Sequence, residues 1–304
     1  MDIEKFKKLI QEERIARMPS PYRLTLENFE KLDFNNQNEE FFLSNASYIM
    51  QSLRNSNWES FLKIEEKFSS FMYESLIDKN AISNLNNEDS IKWFVNKFPE
   101  HIYALSLSNT QSRRSRAGKE FEAIIELILM GANIPFDTQG SIGSGVFETA
   151  ELAKLVDCVS PGALEYKMDK RNTSLISAKT TLRERWQEVG DEMSRTKARE
   201  MYLVTLDTNI SKNTIKLINA NNIVIVTTES IKKTNYQNET HIMSLEDMLQ
   251  ELKTKSIVWN HSRYTSKDKK EKIQFLEQQQ DNSTTSFIQK YYQKQLELFI
   301  TEKT

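Results

Sequence analysis

Asp157, Lys179 and Glu192 are the residues whose types and spacing could do chemistry in this chain. Asp157 closes an apolar run, Lys179 ends a second one, SLISAK, and Glu192 lies in the segment that follows. A carboxylate, a lysine and a second carboxylate near the ends of adjacent strands suit metal-dependent hydrolysis of a phosphodiester. Carboxylates hold a hard divalent cation, such as Mg²⁺, through oxygen. The cation makes water more acidic and offsets charge on the phosphate, and the lysine can place or activate that water. Between Lys179 and Glu192 stands Arg183-Glu184-Arg185. Acids are favoured and bases disfavoured in the first turn of a helix, so two arginines there run against the dipole and point to a use. Arginine can pair bidentately with guanine O6 and N7, and glutamate can accept from the cytosine N4 amino group. One segment thus carries a candidate cutting site and a candidate reading site for a short run of G·C pairs.

Taken singly, each residue has an ordinary explanation. A strand-end aspartate caps a turn, a terminal lysine snorkels to solvent, and an Arg-Glu-Arg run is a charged helix start. The combination is what carries the reading. Ser177 stands where the nuclease pattern Asp…(Asp/Glu)-X-Lys places its second carboxylate, and a serine ligates metal poorly. Glu192 is the candidate replacement and Glu188 the rival; their i,i+4 relation puts both on one helix face, so spacing does not choose. The preceding segment GKEFEAIIELILMG offers Glu122 as a further acid, with Glu120 and Glu126 as alternatives. Trp186 reads as core, and GSIGSG at 140–145 as a turn, because it lacks the Lys-Ser/Thr of a phosphate-binding loop.

Positioning these groups requires an α/β scaffold. Residues 152–159, 173–178, 201–206 and 223–228 are apolar and β-branched enough to be strands. Helical patterns precede and separate them: GKEFEAIIELILMGANIPF, stopped by Gly131 and Pro135, TTLRERWQEVGDEMSR, SKNTIKLINANN, and SLEDMLQELKTK opened by Ser244. The order predicts a central mixed β-sheet flanked by helices. Upstream, residues 1–32 read as a helix, a break at MPSPYR and a second start at Thr25, and residues 38–110 as all-helical. The expected organisation is a helical N-terminal region at 1–110, a catalytic and recognition core at 111–265, and a polar, Gln- and Lys-rich helical tail at 266–304 that contacts solvent or a partner.

Composition narrows the function classes. The 304 residues are 38% hydrophobic and 28% charged, as in a soluble globular protein with a polar surface. No run approaches the length of a membrane span, and the charged amphipathic start MDIEKFKKLIQEERIARM has no apolar signal region. A single cysteine excludes an internal disulfide and fits a reducing cytoplasm. With only three dispersed histidines, His101, His241 and His261, a structural zinc site is not expected. The net charge of −2 is not that of a protein that coats DNA. Local basic clusters at Arg113, Arg114, Arg116 and Lys119, at Lys167, Lys170 and Arg171, and at Lys179, Arg183 and Arg185 instead suit a protein that clamps DNA in a cleft.

The Asp157…SAK…Glu192 arrangement, the KTTLRERW block and the preceding GKEFE helix together resemble the SsoII/EcoRII/PspGI group of Type II restriction endonucleases, within the PD-(D/E)XK nuclease superfamily. Val156 stands at the position that names the superfamily's proline. The resemblance implies Asp157 as metal-ligand aspartate, Lys179 as catalytic lysine, Glu192 as the relocated second carboxylate and metal ligand, and Glu122 as an accessory acid. It implies Arg183, Glu184 and Arg185 as readers of the CC and GG halves of a CCNGG-type palindrome, cut with Mg²⁺ to leave 5′ overhangs. In such enzymes the central nucleotides are flipped into a pocket of an arginine and an aromatic residue, and Arg54 and Trp58 in SLRNSNWESF have that spacing. A palindromic target implies at least a homodimer, with a tetramer as the alternative, and a cognate DNA methyltransferase as genetic partner in a bacterial cytoplasm. The competing reading is a non-sequence-specific or repair nuclease of the same fold, which would have no use for base-edge readers beside the lysine.

Overall fold

The computed structural model describes residues 1–139, 152, 156–182, 186–196, 198–259, 263–283 and 285–301. The chain forms two compact units: residues 1–28 with 53–120, and residues 29–52 with 121–304. The boundary expected at residue 110 falls within a helix, and the chain leaves and re-enters the second unit.

In the first unit, α1 (Ile3–Arg17) is capped by the Asp2 carboxylate, which accepts the Lys5 amide. The next helix, α2 (Pro21–Lys31), starts at Pro21 rather than at Thr25. Proline is well suited to a first helical position, where its missing N–H costs nothing. The segments around 38–55 and 58–77 join as one helix, α3 (Glu39–Glu74), with a kink at Asn45. Short α4 (Lys79–Ile82) and α5 (Asn87–Lys97) lead to α6 (Pro99–Gly131). Phe6, Ile10, Phe68, Met72, Phe98 and Leu105 form the buried core of this unit. Beside it Asn57 donates to the Thr25 hydroxyl (2.8 Å) and accepts from Asn28 (2.9 Å), which satisfies a buried polar triad.

The second unit is built on a six-stranded mixed sheet ordered β1 to β6: β1 (Asp137–Thr138), β2 (Cys158–Ser160), β3 (Ser174–Lys179), β4 (Met201–Thr205), β5 (Ile223–Thr227) and β6 (Ile242–Ser244). The β1–β2 and β2–β3 pairs are antiparallel and the other three parallel. Helices α7 (Ala163–Met168), α8 (Trp186–Thr196), α9 (Lys212–Ala220), α10 (Glu229–Asn235) and α11 (Leu245–Ser256) connect or cover the strands. The strands β3 and β4 are buried along nearly their whole length, as parallel strands covered on both faces are. Leu175, Leu203 and Ile225 from the sheet pack with Val189, Met193, Ile215 and Ile218 from the helices. Ser244 opens α11, as expected, and closes a capping box with Asp247.

Three features depart from the sequence reading. Of the strand expected over 152–159, the described part is β2 from Cys158, and just before it the Gln139 side chain donates to the Val156 carbonyl (2.8 Å). Gly131 does not stop α6 by its freedom of backbone: the left-handed residue is Asn133 (φ 53°), and the Ile134 amide returns to the Leu129 carbonyl (3.0 Å). Gly131 is needed because a Cβ there would lie 2.2 Å from the Phe42 ring. Finally, the polar tail is a helical hairpin, α12 (Ser266–Asp281) and α13 (Ser286–Thr301), and it is part of the folded second unit. It buries Leu276, Ile288, Tyr291 and Tyr292, and its Lys272 forms a buried ion pair with Glu165 (3.1 Å). Sparse apolar positions in a Gln- and Lys-rich sequence hid this packing.

Candidate active site

Antiparallel pairing of β2 with β3 brings the start of one strand to the end of the other, and this is what unites Asp157 with Lys179. Asp157 immediately precedes β2; its amide donates to the Ile176 carbonyl (3.0 Å) and its Oδ2 accepts the Ala178 amide (2.6 Å). Lys179 is the last residue of β3, two positions after Ser177, so both side chains leave the same face of the sheet. On α8, buried Val189 and Met193 seat the helix against the core, and Glu192 faces β3. The Lys179 Nζ lies 3.8 Å from Asp157 Oδ2 and 3.8 Å from Glu192 Oε1. The Ser177 hydroxyl donates to Glu192 Oε2 (3.2 Å). The serine that replaces the usual carboxylate thus orients the carboxylate on the helix. Glu188, one turn earlier, is exposed.

Electrostatics follow from this crowding. Burial pushes the Glu192 carboxyl above its ordinary range; Lys179 opposes the shift and Asp157 adds to it. On α6, burial pushes the Glu126 carboxyl up to about 8, aided by the charges of Glu122 and Asp157 and resisted by a hydrogen bond from Thr138. Burial likewise pushes up the Cys158 thiol, with Glu126, Asp157 and Glu122 contributing. Glu122 and Glu126 therefore belong to the electrostatic surroundings of Asp157. Glu120 belongs to the first unit, where its Oε1 pairs with Arg116 Nη2 (3.1 Å).

The donor set fits a hard divalent cation. Two carboxylates and a hydroxyl converge, all oxygen, and among the described residues no group of three or more His, Cys, Asp or Glu is arranged to hold a metal.

Of the other expected site residues, Arg183, Glu184 and Arg185 lie outside the described residues, as does GSIGSG. The approach to the arginines is anchored by a residue that the sequence reading missed. Asp207, in the loop after β4, accepts the Leu182 amide (2.9 Å), and the Leu206 amide donates to the Thr180 carbonyl (3.3 Å). Nothing in the sequence LDTN marks that role. Trp186 packs against the core, as expected. In the first unit Arg54 and Trp58 lie one turn apart on α3. Trp58 is 47% exposed, with Phe61 6.2 Å away and the Arg113 guanidinium 5.7 Å over its ring, so it is not a core residue. Arg54 is partly buried, which pushes its guanidinium below its ordinary pKa against the pull of Glu120. The basic cluster at 113–119 is not a bare cationic patch: Arg113 pairs with Glu65, and Arg116 is buried.

A mixed sheet with flanking helices and an acid–lysine–acid cluster where β2 meets β3 is the arrangement of a restriction-endonuclease-like nuclease. Residues 78–249 match the family described as EcoRII C terminal. The chain is 44% identical over 292 residues to the Type II restriction enzyme SsoII of Shigella sonnei, covering 96% of each. Its structure matches metal-depleted Ecl18kI in complex with uncleaved DNA, with a TM-score of 0.90, 43% identity, and coverage of 97% of this chain and 99% of that one. A restriction endonuclease PspGI–substrate DNA complex matches at a TM-score of 0.56 and 16% identity, over 80% of this chain and 95% of that one, a likeness of fold. The chain belongs to this family of restriction endonucleases and is a Type II site-specific deoxyribonuclease. Enzymes of this type generally depend on a divalent metal. No helix among the described residues is long and apolar enough to cross a membrane.

Proposed function

We propose that the chain cuts double-stranded DNA at a CCNGG-type palindrome in a Mg²⁺-dependent reaction that leaves 5′ overhangs. The observation that carries this reading is the convergence of Asp157, Lys179 and Glu192, with Lys179 Nζ 3.8 Å from each carboxylate. When bound, the cation would be held by Asp157 and Glu192 and would supply Lewis acidity toward the phosphate. Lys179 donates to and orients the attacking water and offsets charge growing on the phosphoryl oxygens. Ser177 and the Ala178 amide fix the two carboxylates, so little reorganisation is left for the reacting state. Glu122 serves as an accessory acid beside Asp157. Arg183, Glu184 and Arg185 read the C·G pairs. One set of readers covers one half-site, so the acting species is at least a two-fold symmetric dimer, open to further pairing into a tetramer. A DNA methyltransferase that protects the same site in a bacterial cytoplasm completes the system. Incubating plasmid DNA with the protein and Mg²⁺ should yield discrete fragments whose sequenced ends share CCNGG, and EDTA should prevent cutting. Random ends would instead favour a nuclease without sequence choice.

The central nucleotides are flipped out of the stack and held between Arg54 and Trp58. The half-exposed indole of Trp58 offers a face that any base can stack upon. Flipping costs a few kcal/mol, and stacking on an aromatic ring returns about 1–3 kcal/mol per base, so the two roughly offset. Since no base edge needs reading, such a pocket accepts any N. Placed at the centre, 2-aminopurine should change in fluorescence on binding, and Trp58→Ala should brighten it further while weakening the complex. Unchanged emission with both proteins would return Trp58 to a structural role.

A further inference from the structure

Trp58 is open to solvent in the first unit, yet its ring is not left loose. The Phe61 ring lies 6.2 Å away, and the Arg113 guanidinium lies 5.7 Å over the indole. Arg113 is in turn tied down. Its Nε donates to Glu65 Oε2 (2.8 Å), and its Nη2 donates to the same oxygen. The two ends of this pair differ: the Glu65 side chain is 4% exposed and that of Arg113 46%. The other Glu65 oxygen, Oε1, has no hydrogen-bond partner among the described residues. A buried carboxylate is strongly unfavourable without a cation beside it, so Glu65 draws Arg113 to a fixed place.

A similar arrangement recurs one turn on. Arg116 pairs with Glu120 (3.1 Å) and lies 4.7 Å over the Phe61 ring. There both the arginine and the ring are buried, and the set belongs to the packing of the unit. At Trp58 the ring stays 47% exposed. Packing gains little from steadying a ring that faces water. A stacking platform does gain, because a large side chain already fixed in its bound orientation loses less freedom when a ligand lands on it.

We propose that Arg113, seated by Glu65, is a positioning residue for the base pocket: its guanidinium holds the Trp58 indole in the orientation on which a flipped base stacks. The inference rests on the reading of Arg54 and Trp58 as that pocket. It gives the open arginine of α6 a role apart from phosphate contact, and it gives Glu65 the role of seating that arginine.

Binding to two duplexes in metal-free buffer tests this. One carries an intact CCNGG site, and the other has abasic sites at the central pair. R113A should weaken binding to the intact duplex about two- to fivefold, the size of a cation–π contact at an exposed site. It should leave the abasic duplex unaffected, because no base is there to stack. W58A should show the same selectivity with a larger loss, and R113A should add nothing in the W58A background, the signature of two residues acting as one. With 2-aminopurine at the centre of the intact site, R113A should raise the emission of the complex toward the level reached with W58A. Should R113A fold poorly, the double variant E65Q/R113M removes the buried charge together with its partner and carries the same comparisons. Equal losses on both duplexes would make Arg113 a phosphate contact and overturn the proposal. No loss on either duplex, a further loss when R113A is added to W58A, or emission that only W58A changes would overturn it as well. If W58A itself does not discriminate between the duplexes, the pocket reading falls and this inference falls with it.

Discussion

Lys179→Ala and Asp157→Ala should each slow cleavage of duplex DNA by about a thousandfold or more, within the range that a positioned proton-transfer group contributes. Single-turnover rates with enzyme in excess are the measurement. Binding to cognate DNA in metal-free buffer should change only a few-fold, because neither group contacts a base. The geometry explains why the lysine matters beyond its own donors. Its ammonium is the positive charge between Asp157 and Glu192, 3.8 Å from each. Without it the carboxylates face one another, and Glu192, already pushed up by burial and by Asp157, loses the interaction that opposes this shift. Near wild-type cleavage by either variant would sink the assignment.

Glu192→Ala should cost cleavage on the order of a hundredfold, the scale of loss when catalytic groups are misplaced, and Glu188→Ala should cost little. Both lie on one face of α8, and sequence spacing does not separate them. Their surroundings differ: Glu192 accepts from Ser177 at 3.2 Å, and Glu188 is exposed. Ser177→Ala offers a graded control, since it frees the carboxylate without removing it. If Glu188→Ala proves the more damaging, the relocated carboxylate lies one helical turn earlier than argued.

The sequence made the sheet readable where strands are buried on both faces. Runs such as MYLVT and IVIVT are too short and β-branched to suggest much else, and they form β4 and β5. Asp157 and Lys179 were legible because they bound apolar runs, and Glu192 because Ser177 left a place unfilled. Legibility failed where a long-range contact decides the outcome. That Gly131 answers to Phe42, that Asp207 holds the Leu182 amide, and that the Gln139 side chain takes the Val156 carbonyl are facts of tertiary approach with no local signature. The hairpin of α12 and α13 was hidden for a related reason. Its composition is that of a solvated tail, and only the spacing of Leu276, Ile288, Tyr291 and Tyr292 records the buried face.

That hairpin has a consequence for the order in which the enzyme can be completed. Glu165 and Asp137 are buried beside the tight turn at Gly162, where a Cβ would lie within 2.8 Å of both carboxylates and of the Lys272 ammonium. The ammonium that compensates them lies 107 residues after Glu165, beyond residue 249, where the family match ends. Burying carboxylates with no cation is strongly unfavourable. During synthesis the strands and the cleavage residues therefore leave the ribosome well before the charge that lets them close. The nuclease unit reaches its final packing only once Lys272 on α12 has emerged, so a chain ended before it carries Asp157, Lys179 and Glu192 without the charge that compensates Glu165 and Asp137.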